Sequence, residues 1–250
     1  MISVISSLLL FILPTKFARL ILSRFRYKIE KGARVGFSWI SVRSLYMRGG
    51  SRIGHFNFIN CERVFLNAGA LIQHMNFIRG PFSVLMEQKA QIGNRNVIAR
   101  APKGVTWGGS RLHIGFNSKI TAGHKLDCCR PIKIGSNSIL AGCGSQLWTH
   151  GYAHESEGSG RFRIDGPIAI GNNVYIGSAC VINAGIVIGS ALTVGSHCCV
   201  SKNLESPGLY VNGPMRYIDR SPELILEALL PVVDDSLCER VYVKNSKINK

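Results

Sequence analysis

Residues 168–203 read IAIGNNVYIGSACVINAGIVIGSALTVGSHCCVSKN, and a period of six residues runs through them. Aliphatic side chains recur at Ile170, Ile176, Ile182, Ile188, Val194 and Val200. Glycine follows four of these six positions, and Asn183 and Ser201 stand in the same place after the other two. Because glycine and asparagine tolerate left-handed backbone angles, the pattern predicts one tight corner per repeat.

Three flat segments of this kind close into a triangular coil of 18 residues. Each side points one aliphatic side chain inward, and a coil can bury these side chains only against another coil. An α-helix would instead need apolar residues spaced by three and four, and β-hairpins would show alternation broken by turns. The period therefore predicts a parallel β-helix.

The same pattern recurs upstream with looser spacing. The intervals between successive positions are 18, 18, 21, 22, 20, 36 and 18 residues, at Val35, Ile53, Leu71, Ile92, Ile114, Ile134, Ile170 and Ile188. The solenoid is therefore expected to begin near residue 30. We interpret the interval of 36 residues as two coils with one corner opened between Gln146 and Pro167.

Both ends of the chain differ from the repeat. The apolar run MISVISSLLLFIL, residues 1–13, is too short to span a bilayer and has its basic residues after it, unlike a signal peptide. An amphipathic basic helix is expected within residues 1–29. This helix either lies on an anionic membrane or caps the core. Its apolar face comprises Phe17, Leu20, Ile21 and Phe25, with Arg19, Arg24, Arg26 and Lys28 interleaved. Ser221-Pro222-Glu223 predicts a helix through Leu230, within a C-terminal helix and tail over residues 219–250.

Composition narrows the functional classes. The chain has 250 residues, of which 46% are hydrophobic, so it can bury a core and does not resemble a disordered protein. Lysine and arginine outnumber acids by 30 to 14, which indicates an anionic partner. The eight cysteines form no CxxC motif and include two adjacent pairs, so we expect free thiols in a reducing compartment.

The stretch GPIAIGNNVYIGSACVINAGIVIGSALTVGSHCCVSKN, residues 166–203, resembles the hexapeptide-repeat acyltransferases, which include maltose O-acetyltransferases, serine acetyltransferase and polysaccharide O-acetyltransferases. The likeness is clear over residues 112–218 and rests on periodicity alone over 30–111. It implies an all-β fold, a left-handed parallel β-helix spanning residues 30–218. It also implies acetyl-CoA as acyl donor, no metal, and a homotrimer with active sites between subunits.

The sequence WTHGYAH, residues 148–154, lies in the expected active-site loop 147–167 and resembles the Thr-His pair of that family. His150 matches the catalytic base, and His154 is the alternative. A neutral imidazole would take the acceptor hydroxyl proton while the oxygen attacks the thioester carbon. Glu155, Glu157 and Asp165 follow, and one of them is expected to orient a histidine; the sequence leaves open which.

The closing segment VSKNLESPGLYVNGPMRYI, residues 200–218, resembles the part of the family that approaches coenzyme A. The resemblance assigns Ser201, Lys202 and Arg216 to its phosphates, with Ser178 and Ser196 along the pantetheine arm. Cations there would make charge-assisted contacts with phosphate. The alternative is that Lys202 is an ordinary surface lysine.

Acceptor binding is predicted for Asp127, His124, Trp148 and Tyr152. Leu126-Asp127 resembles a Leu-Asp pair of the sugar O-acetyltransferases, but the acceptor-contacting asparagine before it is replaced near Ala122, which argues against a maltose-like acceptor. Aromatic rings of the loop could stack on a sugar face.

These features favour an acetyl-CoA-dependent O-acetyltransferase acting on a sugar hydroxyl of a nucleotide- or lipid-linked surface-polysaccharide precursor. We expect it in the cytoplasm, peripheral to the inner face of the membrane. One alternative is a non-catalytic solenoid that binds membrane or nucleic acid through its charge, although no nucleic-acid-binding motif occurs and no such partner is expected. Another is a γ-type carbonic anhydrase, which needs three histidine ligands where this chain offers HxxxH.

Overall fold

The computed structural model describes residues 2–12, 15–22, 26–213, 226–238 and 240–245. Its strands wind into a three-sided parallel β-helix, as the six-residue period predicts. A 13-stranded sheet forms two sides and a nine-stranded sheet forms the third. A separate sheet of four strands stands outside the coil and carries the opened corner.

The 13-stranded sheet is held together by three long strands that bend from one side of the coil to the next: β3 (Trp39–Met47), β5 (Phe58–Leu66) and β7 (Phe77–Met86). Its first side also contains β1 (Tyr27–Ile29), β10 (Arg111–Ile114), β13 (Ile132–Ile134), β18 (Ile168–Ile170) and β21 (Val187–Ile188). Its second side also contains β9 (Val97–Ala99), β12 (Lys125–Asp127), β15 (Gln146–Leu147), β20 (Val181–Ile182) and β23 (Cys199–Val200).

The nine-stranded sheet consists of β2 (Arg34–Val35), β4 (Arg52–Ile53), β6 (Leu71–Ile72), β8 (Gln91–Ile92), β11 (Lys119–Ile120), β14 (Ile139–Leu140), β19 (Tyr175–Ile176), β22 (Leu192–Val194) and β24 (Gly208–Tyr210). The four-stranded sheet consists of β16 (His150–His154), β17 (Arg161–Asp165), β25 (Leu229–Pro231) and β26 (Val241–Lys244). Two helices precede the strands, α1 (Ile2–Ile12) and α2 (Thr15–Leu22).

Inward-facing aliphatic side chains form vertical columns inside the coil. On the second side of the 13-stranded sheet, each member of one column pairs in parallel register with the next: Ile59, Ile78, Ile98, Leu126, Leu147 and Ile182. Each of these six is at most 1% exposed. Full burial of such side chains contributes about 2 kcal/mol each, which is why stacking the coils stabilises them.

The corner glycines serve a different purpose from the one that we expected. Gly171 and Gly177 do not adopt positive φ angles; Asn173 and Ala179, two residues later, do, at φ 54°. A Cβ on Gly177 would lie 2.7 Å from the Ser196 backbone nitrogen of the next coil. Glycine is therefore needed for close stacking of successive coils rather than for left-handed backbone angles.

A ladder of hydrogen bonds follows one corner of the coil. The side chains of Asn57 and Asn76 each accept from the backbone N–H of the next rung, at 2.9 Å in both cases. The rungs in order are Ser38, Asn57, Asn76, Asn96, His124, Ser145 and Cys180. Because these polar groups are buried and bonded to one another, the ladder fixes the vertical register of the coils.

The strand pairing corrects the coil count. Ile134 pairs directly with Ile170, so the interval of 36 residues is one coil carrying an inserted hairpin, not two coils. The upstream series also mixes two columns, because Ile92 aligns with Ile120 on the nine-stranded sheet whereas Ile114 aligns with Ile134 on the other. In strand β6 the buried residue is Ile72, and not Leu71, which the predicted series contains. The loop 100–110 between β9 and β10, which the sequence did not reveal, lengthens the coil that runs from Ile92 to Ile120.

Both ends also differ from expectation. The predicted N-terminal helix is two helices, and Tyr27–Ile29 already belongs to the solenoid. At the other end the predicted helix does not extend through Leu230, because Leu229–Pro231 is strand β25, paired antiparallel with β26. Ser221 and its neighbours lie outside the described residues.

Candidate active site

The inserted hairpin leaves the coil at Thr149 and returns at Gly166. Its strands β16 and β17 pair antiparallel, with His150 opposite Asp165. The Thr149 hydroxyl lies 2.6 Å from Asp127 Oδ2, and the Thr149 N–H donates to the same oxygen at 3.1 Å. Asp127 ends the neighbouring strand β12, so these bonds attach the base of the hairpin to the coil below.

The same carboxylate holds His150. The distance from His150 Nδ1 to Asp127 Oδ2 is 2.8 Å, with side-chain exposures of 21% and 9%. With Nδ1 held by the carboxylate, Nε2 is the ring nitrogen left for a substrate. The pair has the arrangement of a general base and its orienting acid.

Electrostatics favour the ionised pair. Burial alone would lower the pKa of His150, but the hydrogen bonds of Asp127 and Cys129 and the charge of Asp127 raise it to about 9. Burial opposes ionisation of Asp127 as well, and the hydrogen bond and charge of His150 nevertheless hold the pKa of Asp127 below its ordinary value. His150 is therefore a stronger base than a free imidazole, and it is mostly protonated at neutral pH.

None of the three acids expected to orient a histidine bonds to His150. Asp165 accepts from Arg163 Nε at 2.7 Å in an ion pair that is at most 1% exposed. Glu155 is paired with Arg240, and Glu157 is exposed. Asp127, which was predicted to contact the acceptor, takes the orienting position instead; the sequence held no local signal for this, because the two residues are 23 positions apart.

The tail braces the hairpin from behind. Strand β26 pairs in parallel with β17, and the Arg163 N–H donates to the Arg240 carbonyl at 3.0 Å. Burial alone would lower the pKa of Arg163, but its hydrogen bond and charge interaction with Asp165 raise it. Arg163 also donates to the Val105 carbonyl at 2.8 Å, so the hairpin is tied to the loop 100–110. The hairpin that carries His150 therefore rests on a buried, hydrogen-bonded support.

Two aromatic rings flank His150. Trp148 and Tyr152 make edge contacts with its imidazole, at centroid distances of 6.0 and 5.8 Å. A cation lies over each ring: Lys125 Nζ is 4.7 Å from the Trp148 centroid, and the Arg161 guanidinium is 4.5 Å from the Tyr152 centroid. Neither cation was among the residues predicted for the site. The surface beside His150 is therefore aromatic and positively charged.

The other two predicted histidines lie elsewhere. His154 is exposed at the far end of β16. His124 is 1% exposed and forms a rung of the corner ladder, where its Nδ1 accepts from Ser145 N and its Nε2 lies 2.8 Å from Thr121 Oγ1. Burial lowers the pKa of His124 to about 4, so it is neutral. The predicted role of His124 in acceptor binding is wrong, because neither ring nitrogen is accessible.

The predicted coenzyme A residues lie on the C-terminal coils. Ser178 and Ser196 occupy equivalent positions on successive corners, and Ser201 and Lys202 are exposed directly after β23. Strand β23 is two strands beyond β15 on the side that bears Trp148, which corresponds to roughly 10 Å. Arg216 lies outside the described residues. The assignment of these residues to coenzyme A stays a prediction.

One group of side chains has the composition of a metal site. The Asp127 carboxylate, the Cys129 thiol and a ring nitrogen of His150 lie within 4.8 Å of one another. The carboxylate and the imidazole are already hydrogen-bonded to each other. Among the described residues no group brings together the three histidines of a γ-type carbonic anhydrase, so the structure gives that alternative no support.

Comparisons with known proteins identify the fold. No protein-family model and no curated protein matches the chain. Among solved structures, the polysialic acid O-acetyltransferase OatWY superposes with a TM-score of 0.51, at 16% identity, over 78% of this chain and 97% of its own. This likeness confirms the fold, a left-handed parallel β-helix.

Two further matches have lower TM-scores. A maltose O-acetyltransferase from Clostridium difficile 630 is 29% identical over 44% of this chain, with a TM-score of 0.36, and the match spans only 59% of that enzyme. The N-acyltransferase AntD from Bacillus cereus, in a mutant form with dTDP and coenzyme A, is 16% identical over 84% of this chain and 92% of its own, with a TM-score of 0.34.

Proposed function

We propose that this protein is an acetyl-CoA-dependent O-acetyltransferase that acts on a sugar hydroxyl, in a nucleotide- or lipid-linked precursor of a surface polysaccharide. The observation that carries the proposal is the Asp127–His150 pair, held at 2.8 Å where the β-helix opens its corner. A buried carboxylate behind a partly exposed imidazole is the arrangement that proton transfer from a hydroxyl requires.

The reaction follows from this arrangement. Neutral His150 accepts the proton of the acceptor hydroxyl at Nε2 as the oxygen attacks the thioester carbonyl carbon. The imidazolium that forms is stabilised by the Asp127 carboxylate. When the tetrahedral intermediate breaks its carbon–sulfur bond, His150 returns the proton to the leaving sulfur, so that the products are the sugar ester and free coenzyme A.

The surroundings of the pair support both substrates. Trp148 and Tyr152 offer ring faces and edges for a sugar, and Lys125 and Arg161 beside them suit an acceptor with phosphate or carboxylate groups. The exposed Lys202 and its neighbouring serine on the C-terminal coils suit the phosphates and pantetheine of the donor. Acetyl-CoA is made in the cytoplasm, which is the compartment that we propose for the protein.

A homotrimer belongs to the proposal. Large apolar side chains are exposed along one edge of the coil, at Phe56, Met75, Phe77 and Val97, with exposures of 68%, 57%, 39% and 40%. A neighbouring subunit would cover this strip and add the second wall of a cleft beside the hairpin.

The test is release of coenzyme A from acetyl-CoA by the purified protein, with nucleotide sugars, lipid-linked sugars and maltose as acceptors. Release is followed by chromatography because the chain has eight cysteines that would react with thiol reagents. We expect His150→Gln to lower kcat/KM by about 1000-fold and His154→Gln, its matched control on the same strand, to retain activity. A wild-type protein that neither binds coenzyme A by calorimetry nor releases it, or full activity in His150→Gln, would refute the proposal.

A further inference from the structure

The two N-terminal helices are fixed to the first coils by one face. The Ser7 hydroxyl donates to the Ile40 carbonyl at 2.6 Å. The Thr15 hydroxyl lies 3.1 Å from the Val35 carbonyl and accepts from the Val35 N–H at 2.9 Å. Leu10, Ala18 and Leu22 are at most 3% exposed. The helices therefore cap the end of the core, as one of the two sequence interpretations expected.

The opposite face of the cap is apolar and open to solvent. Six large side chains are exposed on it: Leu8 50%, Phe11 43%, Ile12 60%, Phe17 61%, Leu20 68% and Ile21 45%. Helix α1 contains no charged residue at all. A cap that met only water would place polar residues on this outer face, so the cluster indicates a binding surface.

Exposed cations lie on helix α2 and on the first coil next to it. Lys16 lies on α2 itself, and Lys28, Lys31 and Arg34 are exposed on the first coil. A cavity of about 470 Å³ between α2 and the first coil is lined by two cations, Arg19 and Lys28, one acid, Glu30, and mainly apolar side chains such as Leu20. From residue 1 to residue 52 the sequence has ten lysines and arginines and one acid, Glu30.

We propose that this end of the protein docks on the surface of an anionic phospholipid bilayer, with the outer faces of α1 and α2 inserted among the headgroups and Lys16, Arg19 and Lys28 bound to lipid phosphates. Exposed apolar helix faces bordered by cations are what interfacial binding requires. Neither helix in the described part of the chain is long and apolar enough to cross a membrane.

Charge also argues against a second copy of this chain as the occupant. Two caps that met face to face would bring the cations of both copies together, in a protein whose formal net charge is already +16. An anionic bilayer neutralises these same cations and covers the apolar residues at once. The docking does not depend on the acetyltransferase activity proposed above.

The test is flotation of the full-length protein with vesicles of phosphatidylcholine alone and of phosphatidylcholine with phosphatidylglycerol. We expect binding to the anionic vesicles to be at least about tenfold stronger and to weaken as salt is added. In Phe17→Ser/Ile21→Ser, which keeps every charge, the partition coefficient should fall about tenfold for each side chain removed. In Lys16→Gln/Lys28→Gln, which keeps the apolar face, it should fall about fivefold for each cation.

Matched controls come from exposed residues outside the cap. Leu209 and Val211 are each 68% exposed on the last coil, and Lys89 and Lys133 are exposed on middle coils. Leu209→Ser/Val211→Ser and Lys89→Gln/Lys133→Gln should bind vesicles like the wild type. Circular dichroism melts verify that all variants fold.

Equal binding to both vesicle types, no binding, or equal losses in the controls would overturn the proposal. So would a Phe17→Ser/Ile21→Ser variant that changes only the molar mass measured by light scattering, because that result would identify a second copy as the occupant.

Discussion

Replacing Asp127 by asparagine removes the carboxylate that holds His150 and leaves a side chain of nearly the same shape. The pKa of His150 is about 9 against an ordinary value of 6.5. The variant loses the hydrogen bond and the charge of Asp127, which raise this pKa, but it keeps the hydrogen bond of Cys129, which also raises it, and burial and the charge of Arg163, which lower it. We therefore expect the pKa of His150 in Asp127→Asn to fall from about 9 toward its ordinary value. The change corresponds to a factor of about 300 in the protonation equilibrium, or about 3 kcal/mol as an upper limit for the interaction.

The same interaction contributes to stability in a defined pH window. Because the folded-state pKa of His150 is raised, its contribution is fully present below pH 6.5 and is lost as the pH rises through about 9. On the acid side it is lost when Asp127 becomes protonated, because the folded-state pKa of that group is lowered. The free energy of unfolding of Asp127→Asn should thus be about 1 to 3 kcal/mol below wild type near neutral pH. This deficit should shrink above pH 9.

Two measurements check this reasoning. Heteronuclear NMR titration of the imidazole signals gives the pKa directly, with His150 assigned among the seven histidines by its loss in His150→Gln. Urea denaturation across the pH range gives the stability difference. Glu157→Gln removes an exposed carboxylate from the same hairpin and should leave both results unchanged. A His150 signal that titrates near 6.5 in the wild type, or near 9 in Asp127→Asn, would refute the ion pair.

Three further expectations follow from the same structure. If neutral His150 is the base, kcat/KM for acetyl transfer should rise about tenfold per pH unit below about pH 9 and then level off, and a profile that is flat from neutral pH upward would contradict this. Asn76→Ala breaks the buried corner ladder, because Asn76 donates to the Asn57 side chain and to the Gly93 carbonyl. The free energy of unfolding, measured in urea, should fall by about 3 kcal/mol, whereas Asn60→Ala at an exposed position should change it by less than about 0.5 kcal/mol. In the native protein a thiol reagent should modify rapidly only the three exposed cysteines, Cys143, Cys199 and Cys238, and all eight after denaturation; fast labelling of buried thiols in the native state would contradict the packing.

The candidate site could be predicted from the sequence only in part. The pair Thr149-His150 stands at the opened corner as the family resemblance implied, and Trp148 and Tyr152 flank the imidazole. The orienting acid was misplaced, because the sequence suggested acids on the same loop whereas Asp127 comes from the coil below. His124 was misassigned since nothing in its local sequence distinguishes an outward histidine from a rung of the ladder.

The sequence by itself determined that aliphatic side chains turn inward every six residues and that the chain must therefore coil and stack. A period is a local property, so it can be read without knowing which residues meet. Only the tertiary structure decided which residues are vertical neighbours, because the loop 100–110 and the hairpin 149–166 shift the count from coil to coil. Parallel stacking then brings Asp127 and His150, 23 positions apart, to 2.8 Å. It also pairs β17 with the distant tail strand β26, which no pattern in either segment indicated.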